Sequence, residues 1–167
     1  MRTGKSDYQI IRVTPTLSTD AYAVGDVLFT ATEIPNAVIG LGGCSKLVRC
    51  YIMDQDREAF DVTLIFTEKN TAVGTINATA NISDADMEAI GFCGFLKAQS
   101  DTNILGAIDG VHLIATQGPG GGGESVEPIL IQAENDSTSV YVSGFITSGT
   151  PTFAAADDID LIFHIEK

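Results

Sequence analysis

The chain has 167 residues, enough for one well-filled core, and 44% apolar with 19% charged residues is a composition that excludes disorder over most of its length. Its formal net charge of -13 is unevenly placed: no lysine or arginine falls between Lys97 and Lys167, while carboxylates recur from Asp101 to Glu166. Such a half repels phosphate, which excludes nucleic-acid binding through it.

Residues 1–7 form a polar arm carrying Arg2 and Lys5, predicted to be mobile unless bound. The start, MRTGKSDYQIIRV, has no long apolar stretch, so neither a signal peptide nor a spanning helix is expected, and the chain reads as soluble. Residues 8–13 predict a first strand, followed by a loop through Pro15 and Asp20; residues 25–32 predict a second, ended by Pro35. Residues 46–53 and 60–66 read as an antiparallel pair joined by the polar DQDRE. In the first, Val48, Cys50 and Ile52 alternate toward the core, which puts Leu47 and Tyr51 on the other face. In the second, Phe60, Val62, Leu64 and Phe66 alternate with Asp61, Thr63 and Thr67, a clear period of two.

One helix start is visible. Ser83 followed by Asp86 makes a capping-box pattern, and Gly91 ends what must be a short helix. FCGFL then predicts another strand, with further strands at 111–115, 129–133, 138–147 and 159–165. Val140, Val142, Gly144 and Ile146 share one face of their strand, as do Ile159, Leu161, Phe163 and Ile165 of the last. Tyr141 and Phe145 lie on the opposite face of the first of these, and Ile162 on that of the second. Short strands at this spacing predict an all-β fold, a β-sandwich or jelly-roll-like single domain over 8–167 with one short helix.

Candidate chemistry finds little support. GPGGGGES at 118–125 has the glycines of a phosphate loop, but Glu124 stands where the phosphate-contacting lysine belongs, and a strand follows instead of a helix. Asp54, Asp56, Glu58 and Asp61 lack the glycine and distal glutamate of a calcium loop and read as a solvated turn. Asp157, Asp158 and Asp160 read likewise as an acidic turn. Cys44, Cys50 and Cys93 are odd in number and lack zinc-site spacing, with Cys50 and Cys93 read as small core residues. His112 and His164 have no nucleophile in a suitable context, and the chain has no tryptophan with which to build a sugar platform. No enzyme, cofactor or metal is expected.

Four segments carry a resemblance: AYAVGDV at 21–27 with IPNA at 34–37, DQDREAFDVTLIF at 54–66, ISDAD at 82–86, and VYV with TSGTPTF between 140 and 153. Together they are similar to a family of small virion structural proteins of tailed bacteriophages. The resemblance implies a non-enzymatic protein that decorates or cements the head. It further implies a position on the outer head surface after assembly in the host cytoplasm, the major capsid protein as partner, and a homotrimer, with neither nucleic acid nor membrane involved. The alternatives are a tail, neck or fibre component, or a carbohydrate-binding host-attachment module. The half-apolar outer faces nominate Leu47, Tyr51, Tyr141 and Phe145 for the subunit interface, and Arg2 and Lys5 for an arm that contacts the capsid.

Overall fold

A computed structural model describes residues 8–100, 111–116 and 128–167. The arm with Arg2 and Lys5 and the glycine-rich 118–125 lie outside these residues. The strands are β1 (Tyr8–Val13), β2 (Val27–Ile34), β3 (Cys44–Asp54), β4 (Asp61–Thr67), β5 (Phe92–Ser100), β6 (Val111–Thr116), β7 (Ile129–Gln132), β8 (Val140–Ser148) and β9 (Ile159–Glu166), with one helix, α1 (Asp84–Ala89).

The pairings describe a single long antiparallel ribbon folded back on itself. Its rungs are β1 with β9, β2 with β8, β3 with β6 and β7, and β4 with β5 at the tip. Coiling the ribbon sets β9 against the free side of β3 and β8 against that of β4. Two four-stranded sheets result: sheet I, β1-β9-β3-β6, and sheet II, β2-β8-β4-β5, joined at one corner where Lys97–Ser100 of β5 pairs with β6. Two sheets with this nested order form a jelly roll. The short β7 extends sheet I, pairing with the first residues of β3 while β6 pairs with the last.

The core lies between the sheets. Val140, Val142 and Ile146 of β8 and Ile159, Leu161, Phe163 and Ile165 of β9 are all buried, as their alternation predicts. Phe66 of β4 meets Phe163 of β9 edge-on at 6.0 Å, joining one sheet to the other. Burying each such side chain contributes roughly 1.5–3 kcal/mol. At one end Phe153 contacts Tyr22 at 5.9 Å and Phe60 at 5.7 Å, both edge-on. The Tyr22 hydroxyl is satisfied, donating to the Leu28 carbonyl (3.0 Å) and accepting from the Ser18 N–H (2.6 Å). The turn that delivers Phe153 uses Gly149 at φ 83°, where a Cβ would stand 2.4 Å from the Ala59 carbonyl oxygen. Three of the segments that carry the family resemblance therefore meet in one aromatic cluster, a structural role rather than a chemical one.

Two expectations are corrected. The strands at 46–53 and 60–66 do not pair: β3 belongs to sheet I and β4 to sheet II. Leu47 is not on an outer face but in the core, 1% exposed. The reason is a β-bulge. Leu47 pairs with Ile165 and Arg49 with His164, so Val48 is an extra residue on β3. The extra residue shifts the alternation by one, and Leu47 and Cys50 both face inward.

Candidate interaction faces

The two sheets present different outer surfaces. That of sheet II is partly covered by its own chain, with Phe95 of β5 left exposed. The connection between β4 and β5, residues 68–91, folds back over the sheet and packs Val73 and Ile90 on Ile65, with Ile82, Met87 and Phe145 around them. Backbone bridges from Ile76 to Val27 and from Thr79 to Asp26 hold the segment's middle against the start of β2. Within it α1 is closed as its sequence predicts: the Ser83 hydroxyl accepts from the Asp86 N–H (3.2 Å), and the Asp86 carboxylate accepts from the Ser83 N–H (3.0 Å). The Ser83 hydroxyl also donates to the Asp86 carboxylate (2.7 Å), and this bond, followed by the one from the Ser83 N–H, holds the Asp86 carboxyl below the usual carboxylate range. A cavity of about 200 Å³ remains within the strap, between α1 and the segment before it, lined among others by Val73, Ile82, Asp86 and Ile90.

This covering accounts for one predicted interface residue. Phe145 is half-buried because its own chain lies on it, so it is not presented to a partner as a free apolar side chain. Tyr141, on the same strand, is also half-buried, and its hydroxyl pKa is raised by burial and by the nearby Glu33 and Glu134 charges.

Sheet I differs. Among the described residues no segment packs over its outer face, where Tyr8 and Ile10 of β1 and Leu130 of β7 are exposed. Tyr51 is half-buried there. Its ring meets His164 edge-on at 5.3 Å, and its hydroxyl accepts from the Arg49 guanidinium at 3.2 Å. The candidate residues thus separate: Tyr51 stands on one sheet, Tyr141 and Phe145 on the other, and Leu47 between them. Strand register, which the sequence alone did not reveal, sets Ile10 and Arg49 on either side of His164 and Arg12 and Tyr51 on either side of Ile162.

A third feature is the acidic end of the sandwich, where the two acidic turns come together. The Gln55 N–H donates to the Asp158 carbonyl at 2.9 Å, and the Asp56 carboxylate accepts from the Ala154 N–H. Asp158 accepts from the Ala155 N–H at 2.5 Å. That bond pulls the Asp158 carboxyl down, but desolvation, a hydrogen bond with the Asp56 carboxyl, and the Asp56 and Asp157 charges together push it above the ordinary range. Asp54 is fully buried, accepting from the Asp56 N–H (2.9 Å) and the Glu58 N–H (2.7 Å). The acidic turn is therefore built around carboxylates that hold the backbone.

Among the described residues no three His, Cys, Asp or Glu side chains are arranged to hold a metal ion. Cys50 is buried, which pushes its thiol well above the usual range, while Cys93 is half-buried and Cys44 exposed. Among the described residues no helix is long and apolar enough to cross a membrane. No protein-family model, curated protein or solved structure matches the chain.

Proposed function

We propose that this chain is a non-enzymatic structural protein of the phage virion that binds the capsid shell from outside and cements it, with the major capsid protein as its partner. The observation that carries the reading is the jelly-roll strand order, an architecture that recurs in viral capsid proteins. The four segments that resemble phage virion proteins are the second support for the reading, three of them contributing Tyr22, Phe60 and Phe153 to the core. A rigid sandwich with one outer face partly strapped and the other uncovered among the described residues suits a module that docks in many copies, where small contact energies multiply through effective concentration.

Jelly rolls also serve in lectins, which keeps a glycan-binding reading in view. The aromatic platform that reading needed at Tyr141 and Phe145 is not free, since residues 68–91 lie on Phe145. Quantitative mass spectrometry of purified virions tests the proposal. The expected result is a copy number in proportion to the shell subunits. A few copies that fractionate with tails would overturn it in favour of a tail, neck or fibre component.

A further inference from the structure

At one end of the sandwich two connections of the chain are tied together, and the ties run through carboxyl groups. The turn 55–60 leads out of β3, and the connection 149–158 leads from β8 into β9. The Asp56 carboxylate accepts from the Ala154 N–H, and the Asp158 carboxylate accepts from the Ala155 N–H at 2.5 Å. Neighbouring amides of one connection are thus held by acids from both. A further hydrogen bond joins the two carboxyls to each other. One backbone bond crosses the same junction, from the Gln55 N–H to the Asp158 carbonyl at 2.9 Å.

Two ionised carboxylates have no proton to place between them. A carboxyl–carboxyl hydrogen bond therefore exists only while one member of the pair is protonated. Such a pair titrates as a unit and keeps one proton to higher pH than an isolated acid does. The upward shift of Asp158 has the sign that a shared proton requires: the Ala155 N–H pulls down, but desolvation, the bond with Asp56 and the Asp56 and Asp157 charges push up by more.

The surroundings do little to offset the loss of that proton. Beside Asp56 on the turn stand Asp54, Arg57 and Glu58, and beside Asp158 stand Asp157 and Asp160. The flanking elements bring further carboxylates: Asp160 accepts from the Thr14 hydroxyl, and Asp61, which opens β4, accepts from the Ser100 N–H. Residues 98–110 contain no lysine or arginine. Arg57 is the one basic residue among these groups, so Asp56 and Asp158 repel directly once both are ionised.

We propose that Asp56 and Asp158 form a proton-operated latch, closed in acid, whose loss of the shared proton as pH rises frees residues 150–158 from the β3–β4 turn while both sheets stay folded. The proton is bound more tightly in the closed form than in the open one. The latch is therefore fully closed below the ordinary carboxyl value of 3.8 and opens as the pH rises through the raised value of the pair. Asp54 is a separate group, because its two N–H partners, of Asp56 and Glu58, both lie within the turn. The proposal is independent of the virion reading.

Hydrogen exchange of the full chain, corrected for the intrinsic rate at each pH, tests the latch. Protection of the Ala154 and Ala155 amides should fall with rising pH, by at most about tenfold per pH unit for one linked proton, while β8 and β9 stay protected. Asp158→Asn should remove this dependence, since its amide accepts from Ala155 and donates to Asp56 at every pH. Asp54→Asn should leave the dependence in place. Thermal melting confirms that each variant folds, and carboxyl NMR of the parent needs no variant: Asp56 and Asp158 should titrate together in two steps, the upper one above the ordinary range. Protection at Ala154 and Ala155 that ignores pH, an equal fall in β8 and β9, an Asp158→Asn variant that keeps the parent's dependence, or two independent titrations at ordinary values would each overturn the proposal.

Discussion

Asp54 shows most clearly how a single side chain sets a property of the fold. Burial pushes its carboxyl from the ordinary 3.8 up to about 6, its two N–H partners pull it down, and the Asp56 and Glu58 charges push it further up. An acid whose pKa rises on folding binds its proton more tightly in the native state. Its stabilising contribution is therefore fully present below about pH 4 and is lost as the pH rises through about 6, a loss of about 2–3 kcal/mol. Asp158 shifts in the same direction. Chemical denaturation of the parent should show stability falling between these pH values. Asp54→Asn should flatten the fall while costing about 1–2 kcal/mol at acid pH, where one N–H loses its acceptor. A parent whose stability rises across that window would contradict this account of Asp54. Gly144 makes a second residue-scale case, since a Cβ there would stand 2.6 Å from the Phe29 ring. Gly144→Ala should cost about 1–3 kcal/mol through overpacking, read as a lower denaturation midpoint at unchanged slope.

Among the elements, α1 and its strap are held by their cap and by apolar contacts, because a helix of six residues has no independent stability. Ser83→Ala should cost about 1 kcal/mol, and hydrogen exchange should locate the loss in residues 68–91 while β4 and β8 stay protected. Equal loss of protection in the sheets would show that the strap is not a separable unit. The capping box was legible in sequence because its bonds are local to Ser83 and Asp86. Strand identity was legible too, since alternation in β4, β8 and β9 reports burial directly. Partner choice was not. The DQDRE turn between β3 and β4 has the look of a hairpin link, yet the strands enter different sheets because the ribbon coils, a non-local outcome. Leu47 was misread for a different reason: Val48 is an apolar residue at a bulge, and nothing local distinguishes it from a core position. Phe145 was read correctly as an outward half-apolar residue, but its cover comes from chain more than fifty residues away in sequence.

The described residues combine a jelly roll, one partly strapped outer face and one uncovered face, in a strongly acidic chain. Its net charge of -13 makes free copies repel one another, an effect screened over ~8 Å at physiological ionic strength. A protein that binds only the intact shell stabilises it by mass action, without nucleotide, metal or substrate. The arm at 1–7 lies outside the described residues, and the capsid contact inferred for Arg2 and Lys5 predicts that deleting residues 2–6 weakens shell binding while leaving the melting transition nearly unchanged. Equal occupancy of deleted and intact protein on purified capsids would exclude that role. The most direct test of the shell-cementing account compares the rupture temperature of heads that lack this protein before and after purified protein is added back. The account predicts that bare heads assemble but rupture at lower temperature, and that resistance returns in proportion to occupancy. Bare heads as robust as decorated ones, with no binding on add-back, would contradict it.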